Sequence, residues 1–125
     1  MICGIGTDIC EIARWENNHF SQRLLTRCFT EEEQQYILSR GRGSFQTAAG
    51  LFCAKEAFLK ALGTGIGPVP FTDIVIRHTG SGQPYYSLAG EAERAAREIG
   101  CERAHLSISH DGGFAVAFCV LYGEE

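Results

Sequence analysis

Two charged residues separated by four positions stand out near the middle of the chain. Glu56 and Lys60 belong to the run Lys55-Glu56-Ala57-Phe58-Leu59-Lys60, and a spacing of four places both side chains on one face of a helix. A carboxylate and an ammonium group in this arrangement can be an ordinary surface ion pair, which contributes only about 0.3–0.5 kcal/mol. The same two groups could instead bind a hard cation and neutralise a phosphate. The spacing alone leaves both interpretations open.

A second carboxylate, Asp8, interrupts the apolar run Ile2–Cys10. Burying an unpaired carboxylate is costly, so Asp8 either lies at a strand end, in solvent or as a helix cap, or meets a partner of opposite charge. Magnesium is usually bound by one or two protein carboxylates, with water and substrate phosphates completing the octahedron. If Asp8 and Glu56 converge on such a cation, Lys60 is placed to stabilise phosphate charge. The chemistry would then be a phosphoryl-type transfer, in which positioning and charge neutralisation supply most of the acceleration.

A strand and a long helix must position these groups. The opening run Ile2–Cys10 is typical of a strand, and the apolar spacing between Ser44 and Leu62 predicts a helix with Gly63 as its C-terminal cap. A capping box at Thr30–Glu33 predicts a helix that runs to about Arg40. The other predicted elements are short helical segments between Glu11 and Thr26, strands Asp73–His78 and Tyr85–Leu88, a helix Glu91–Ile99, and strands Ala104–Ser109 and Phe114–Leu121. This order predicts an α+β fold, with residues 1–125 as a single compact domain whose mixed or antiparallel sheet packs against the long central helix.

Composition excludes several classes of protein. The chain has 125 residues, of which 45% are hydrophobic and 21% charged, and this favours one folded domain over a disordered chain. A net charge of −4 argues against a nucleic-acid-binding protein. No apolar run is long enough for a membrane helix, and the first ten residues lack the basic charge of a signal peptide. The six scattered cysteines include no Cys-x-x-Cys pair, so we interpret them as reduced, mostly buried side chains of a cytoplasmic protein.

Two segments resemble the signature motifs of the 4′-phosphopantetheinyl transferases. They are Gly6-Thr7-Asp8-Ile9-Cys10-Glu11-Ile12 and Phe52-Cys53-Ala54-Lys55-Glu56-Ala57-Phe58-Leu59-Lys60-Ala61-Leu62-Gly63-Thr64-Gly65, roughly 50 residues apart. The closing run Leu106-Ser107-Ile108-Ser109-His110-Asp111 also resembles a strand-end motif of this family. The short chain is similar to the short bacterial type, the holo-[acyl-carrier-protein] synthases, rather than to the longer two-lobed transferases.

The resemblance implies a magnesium-dependent enzyme of fatty-acid biosynthesis, with polyketide carriers as an open alternative. Such enzymes transfer the 4′-phosphopantetheine group of coenzyme A to a serine of apo-acyl carrier protein and release adenosine 3′,5′-bisphosphate. By the same resemblance, Asp8 and Glu56 bind the metal, and Lys60 stabilises charge or protonates the leaving group. Lys55 either contacts phosphate or has a structural role. The base for the incoming serine is Glu56, or a water held by Glu56 or Asp8.

Three further positions are assigned to coenzyme A by the resemblance. His110 either positions the coenzyme or is an ordinary structural histidine, and Asp111 could approach the metal as a third acidic group. The glycine-rich loop that begins at Gly63 follows a helix rather than preceding one, so it is not a phosphate-binding loop, although it could wrap the nucleotide.

The sequence departs from the family at one position. The short synthases usually carry an arginine just before the Phe-x-x-Lys-Glu element, where this chain has Leu51. Arg40 or Arg42 is the expected substitute for contact with the 3′-phosphate of coenzyme A.

The resemblance also predicts protein partners. Acyl carrier proteins are acidic as a family, so a basic docking surface is expected. Arg14 matches a position where these synthases often present arginine, and Arg23 and Arg27 either extend that surface or are ordinary solvated side chains. The family further implies a homotrimer with coenzyme A bound between subunits. Two other functions stay open: a non-catalytic module that binds a nucleotide or a carrier protein, and a metal-dependent phosphohydrolase that uses water in place of serine.

Overall fold

The computed structural model of the chain describes residues 1–17, 21–63 and 69–124. The helices are α1 (Ala13–Asn17), α2 (Gln22–Cys28), α3 (Glu31–Ser39), α4 (Ser44–Leu62) and α5 (Gly90–Glu98), with short 3₁₀ turns at Gly41–Gly43 and Phe71–Asp73. The strands are β1 (Ile2–Glu11), β2 (Ile74–His78), β3 (Pro84–Leu88), β4 (Arg103–Asp111) and β5 (Phe114–Tyr122). The predicted α+β class is confirmed, and the bounds of α4 agree with the sequence pattern at both ends.

The strands pair only with antiparallel neighbours in the described residues. In one sheet β5 lies between β1 and β4, and β2 and β3 form a separate hairpin. The tight turn between β4 and β5 uses Gly112 and Gly113, both with positive φ (56° and 86°), as a two-residue hairpin turn requires. Of the two sheet types that the sequence allows, the antiparallel one is present, and it is divided into two sheets.

The long helix α4 packs directly on the inner face of the three-stranded sheet. Alternate residues of β1 face the helix, and two of them are Gly4 and Gly6. A Cβ atom on Gly6 would lie 2.1 Å from the carbonyl oxygen of Ala57, and one on Gly4 would lie 2.0 Å from that of Ala61. The helix and the strand therefore run antiparallel in backbone contact, which only glycine permits at these positions.

Most of α4 is buried in the hydrophobic core. The apolar core residues of this helix are Ala48, Ala49, Leu51, Cys53, Ala54, Ala57, Phe58, Leu59, Ala61 and Leu62. The helix ends at Gly63, whose left-handed conformation (φ 76°) forms the predicted cap. The loop 64–68 that was predicted to wrap the nucleotide lies outside the described residues. Within the described ranges, no helix is long and apolar enough to span a bilayer.

Candidate active site

Asp8 lies in the interior of β1, opposite Ala117 of β5, and its side chain is only 17% exposed. Its carboxylate oxygen Oδ1 accepts a hydrogen bond from Lys60 Nζ at 2.9 Å. The interpretation of Asp8 as a strand-end residue or helix cap is therefore wrong, because a cationic partner on α4 meets the carboxylate in mid-strand. This contact joins residues 52 positions apart in the chain.

Glu56 belongs to the same group of charges. Burial raises the pKa of its carboxyl above the ordinary value, the negative charge of Asp8 raises it further, and the positive charge of Lys60 opposes this rise. The hydrogen bond and charge of Asp8 in turn raise the pKa of Lys60. Asp8, Glu56 and Lys60 thus form one electrostatically coupled cluster where β1 meets α4.

The two carboxylates of this cluster fit a hard divalent cation. Burial is the main cause of the raised pKa of Glu56 and the charge of Asp8 adds to it, and a cation bound by both carboxylates would relieve that repulsion. Across the described parts of the chain, no set of three or more His, Cys, Asp or Glu side chains is arranged to hold a metal. Two protein carboxylates agree with the partial ligand set that Mg²⁺ takes when water and phosphate oxygens complete its shell.

Within one chain Asp111 does not join this cluster, so the expected third acidic group near the metal is not the chain's own Asp111. It ends β4 at the hairpin, opposite Phe114, whereas Asp8 is aligned with Ala117. Since β5 separates β1 from β4, Asp111 lies two strands away from Asp8 across the sheet and three residues away along β5.

Lys55 points away from the cluster and into the protein. Its side chain is fully buried, and Nζ donates to Glu33 Oε1 at 2.7 Å and to the carbonyl oxygen of Phe71 at 2.8 Å. Burial lowers the pKa of Lys55, and the charge and hydrogen bond of Glu33 oppose this shift. Of the two roles that the sequence left open, this geometry favours the structural one, because every donor contact of Lys55 described here is internal.

Glu33 is a buried residue that the sequence interpretation did not single out beyond its capping role. The capping box is present, since Thr30 N–H donates to Glu33 Oε1 at 2.9 Å. Glu33 Oε1 also binds Lys55, and Oε2 accepts from the backbone N–H of Ile76 at 2.7 Å. One carboxylate thereby connects α3, α4 and β2. A glutamate at the third position of a capping box predicts only the local contact with Thr30. The sequence therefore did not predict its contacts with Lys55 and Ile76.

His110 lies on the other side of α4, beside a cavity of about 210 Å³. Its Nε2 atom would be 3.0 Å from a Cβ on Gly50, so the missing side chain makes room for the imidazole. Leu51 lines the same cavity, together with Tyr36 and His78, whose rings stack at 3.9 Å.

Arg40 supplies positive charge near this cavity. Its guanidinium carbon lies 5.3 Å from the ring centre of Tyr36, a cation–π distance. Arg42 lies in the exposed 3₁₀ turn just before α4. Leu51 itself is 2% exposed and carries no charge to the cavity. Of the two expected substitutes, Arg40 is the one that contacts a wall of the cavity.

The carboxylate cluster and the His110 cavity are separated within one chain. Asp8 lies on β1 and His110 on β4, the two edge strands of the described sheet, with β5 between them and α4 across its inner face.

The three candidate docking arginines are all exposed. Arg14 lies on α1, directly after β1, and therefore near the strand that carries Asp8. Arg23 and Arg27 lie four residues apart on α2 and share one face of that helix.

Two thiols lie behind Asp8, a feature that the sequence interpretation did not connect with the site. All six cysteines, each in a described part of the chain, are free. Interaction with the neighbouring Cys53 thiol lowers the pKa of Cys10. The same interaction and burial raise the pKa of Cys53, and the carboxylate of Asp8 raises it further.

Comparison with known proteins agrees with this arrangement. Residues 4–119 match the 4′-phosphopantetheinyl transferase superfamily. The chain is 42% identical to a protein of Halothermothrix orenii named holo-[acyl-carrier-protein] synthase, over 100% of this chain and 99% of that one. Its sequence is 39% identical to that of the holo-[acyl-carrier-protein] synthase from Neisseria meningitidis, whose crystal structure is known. The two structures match with a TM-score of 0.85 over 98% of this chain and 99% of that one.

A further similar structure was solved with a ligand. The holo-(acyl-carrier-protein) synthase from Bacillus anthracis, in complex with CoA (3′,5′-ADP), is 39% identical, with a TM-score of 0.81 over 99% of each chain. The match spans β1, α4 and the β4–β5 hairpin, which carry the cluster and His110. By sequence, fold and the placement of these elements, the chain belongs to the 4′-phosphopantetheinyl transferase superfamily.

Proposed function

We propose that this chain transfers the 4′-phosphopantetheine group of coenzyme A to a serine hydroxyl of apo-acyl carrier protein, forming holo-acyl carrier protein and adenosine 3′,5′-bisphosphate. The observation that carries the proposal is the Asp8–Glu56–Lys60 cluster at the contact of β1 and α4. The relatives that the chain matches over nearly its whole length are named for this activity. We place the reaction in fatty-acid biosynthesis, with residues 1–125 acting as a single domain.

Asp8 and Glu56 are the residues that would hold a magnesium ion. When bound, the ion supplies charge neutralisation at the pyrophosphate of coenzyme A. Two carboxylates are a partial ligand set, of the kind that would leave room on a magnesium ion for water and phosphate oxygens.

Lys60 acts on the phosphate side of the reaction. Its side chain is 54% exposed, so the ammonium group can leave Asp8 and approach a bound phosphate. In the transfer, the serine oxygen bonds to the phosphorus that carries the pantetheine arm, and the bond from that phosphorus to the adenosine phosphate oxygen breaks. Lys60 stabilises the charge that develops on the leaving oxygen or donates a proton to it.

Glu56 is placed to accept the serine proton, directly or through a water. Without a bound cation, burial and the charge of Asp8 raise the pKa of Glu56, and a cation held by the same carboxylate would oppose that rise. The alternative is a water held by Glu56 or Asp8, whose charges interact across the contact of β1 and α4.

The nucleotide end of coenzyme A is assigned to the His110 cavity. Tyr36 and His78 offer an aromatic wall, and Arg40, with Arg42 in the adjacent turn, offers positive charge for the 3′-phosphate in place of Leu51. Gly63 and Asp111 are further proposed to contact coenzyme A, and the family resemblance also assigns Lys55 a part in binding it. The buried pairing of Lys55 makes its contribution indirect, through the position of α4.

We propose a homotrimer with each site formed between two subunits. The support is twofold: the cluster and the His110 cavity lie at opposite edges of one sheet, and the outer face of that sheet exposes large apolar side chains. These are Ile5, Ile9, Phe114 and Phe118, exposed by 59%, 60%, 42% and 44%. Such a continuous apolar face is typical of subunit contacts.

The carrier protein is assigned to the basic surface of Arg14, Arg23 and Arg27. This surface follows directly after β1, and opposite charge on an acidic carrier would accelerate its docking. The six free cysteines support a reducing, cytoplasmic location.

A mass assay tests the activity. Purified protein is incubated with coenzyme A, Mg²⁺ and apo-acyl carrier protein, and the expected product is a carrier heavier by one phosphopantetheine group. Asp8→Ala and Glu56→Ala should each abolish the gain while the circular dichroism spectrum is kept. An unmodified carrier, beside a known transferase that is active in the same buffer, contradicts the proposal. Coenzyme hydrolysis without carrier modification would indicate the phosphohydrolase, and carrier binding without chemistry would indicate the non-catalytic module.

A further inference from the structure

Cys10 and Cys53 are buried thiols that the proposed reaction does not use. Cys10 lies on β1 and faces α4, where its Sγ is 3.4 Å from the carbonyl oxygen of Ala49. Cys53 lies on α4 and faces the sheet, where its Sγ is 3.5 Å from the carbonyl oxygen of Ala115.

These contacts are reciprocal and bring the two thiols together. Ala49 is one helical turn before Cys53, so the carbonyl that Cys10 touches is the one that pairs with the Cys53 amide in the helix. Ala115 lies directly opposite Cys10 in the β1–β5 ladder. Each sulfur therefore packs against the backbone beside the other cysteine, which makes the two thiols neighbours between β1 and α4. The close approach of α4 to β1 lets two such short side chains meet.

The pair also adjoins the carboxylate cluster. Cys10 is two residues after Asp8 on the same face of β1, and Cys53 is three residues before Glu56 on α4. A covalent bond between them would join the two elements that bring Asp8 and Glu56 together.

We propose that Cys10 and Cys53 are a redox-sensitive pair, which a small-molecule disulfide oxidises to an intramolecular disulfide that slows transfer. The part that concerns transfer rests on the proposed function. A bonded pair of sulfurs is much closer than two thiols in contact, so both side chains must leave their carbonyl contacts. Because α4 and β1 are already in backbone contact, the bond must tilt or slide α4 along β1, and this displaces Glu56 relative to Asp8. A misplacement on the order of 1 Å can reduce a catalytic rate about 100-fold.

The chemistry balances with the oxidant named. Cys10, which is 8% exposed against 0% for Cys53, attacks the small disulfide first, and one small thiol leaves. Cys53 then displaces the second small thiol, so one S–S bond forms in the protein and one breaks in the oxidant. The two thiol protons go to the departing small thiolates. Because β1 is an edge strand of the described sheet, local opening there gives the oxidant access.

The test uses the full chain and oxidised glutathione. After incubation, the protein is unfolded, its remaining thiols are alkylated, and its peptides are mapped by mass spectrometry. We expect four alkylated cysteines, one peptide pair that joins Cys10 to Cys53, and a transfer rate at least about tenfold lower, restored by dithiothreitol. Cys10→Ser should abolish both the disulfide and the slowing of transfer by oxidised glutathione. If that variant folds poorly, Cys53→Ala tests the same expectation. Cys28→Ser, a buried cysteine on α2, is the matched control and should keep it.

Three results would overturn the inference: six alkylated cysteines, a bond or glutathione adduct at other cysteines, or a complete Cys10–Cys53 bond with an unchanged transfer rate. The peptide map requires no transfer assay. If the reduced protein never modifies the carrier, the proposed function and the slowing of transfer are both contradicted. The peptide map then still decides whether the Cys10–Cys53 disulfide forms.

Discussion

Lys55 and Lys60 lie on the same helix, yet replacing each by methionine should affect different properties: stability for Lys55 and the transfer rate for Lys60. Lys55→Met keeps most of the side-chain volume but removes the ammonium group that lies 2.7 Å from Glu33. Both side chains of this pair are 0% exposed. The Glu33 carboxylate would keep its bonds to the Thr30 and Ile76 amides but lose its counter-charge in a site that water does not reach.

The expected loss follows from that burial. Breaking a buried ion pair by removing one partner typically costs about 3–5 kcal/mol, a large part of the roughly 5–15 kcal/mol that stabilises a domain. Lys60→Met removes a lysine that is 54% exposed from a pair at 2.9 Å, and such surface pairs contribute about 0–1 kcal/mol. Lys55→Met should therefore lower the free energy of unfolding severely, while Lys60→Met leaves it nearly unchanged and slows transfer.

Urea unfolding followed by circular dichroism measures the first effect, and the carrier mass assay measures the second. A lower urea midpoint with an unchanged slope is expected for Lys55→Met. The double variant Glu33→Gln/Lys55→Met is the control, because it removes both charges and should recover part of the loss. Equal midpoints for Lys55→Met and the unmodified protein, or a Lys60→Met variant that is just as unstable, would refute the assignment of one lysine to structure and the other to chemistry.

Three further predictions concern the site, the helix contact and the carrier surface. In metal-free protein, Asp8→Asn should lower the pKa of Glu56, because it removes the negative charge that helps burial to raise it; carbon-13 NMR of the carboxyl group measures the shift. Gly6→Ala should destabilise the protein by about 1–3 kcal/mol or more, because its new methyl group meets the backbone of α4, whereas Gly80→Ala, with open space around it, should cost less than about 0.5 kcal/mol in urea unfolding. Arg14→Glu should raise the KM for the carrier protein, most strongly at low salt, with kcat unchanged in steady-state kinetics.

Each of these has an outcome that contradicts it. A Glu56 pKa that is unmoved in Asp8→Asn would show that the carboxylates are too far apart to share a cation, and Lys60→Met, the control of opposite sign, should raise that pKa. Equal urea midpoints for Gly6→Ala and Gly80→Ala would contradict the backbone contact. A carrier KM that Arg14→Glu leaves unchanged at low salt would remove this arginine from the docking surface.

The local features of the fold were predictable from the sequence because their causes lie within a few residues. The helix Ser44–Leu62 follows from its apolar spacing and from Gly63 at its end, and the capping box follows from Thr30 and Glu33. The pair of glycines after Asp111 predicts a tight hairpin turn in the same way. The motif residues Asp8, Glu56 and Lys60 could likewise be chosen as candidates, since their types and spacing suit a cation and a phosphate.

Only the tertiary structure decided which of these charges meet. Lys55 and Lys60 are the same residue type on one helix, but their environments differ. Lys55 is buried against Glu33 of α3, whereas Lys60 is half-exposed and pairs with Asp8 of β1. Asp111 had the right chemistry for a metal ligand, but strand order places it away from Asp8. Burial and pairing depend on which distant element packs against a side chain, and no periodicity within a short stretch of sequence carries that information.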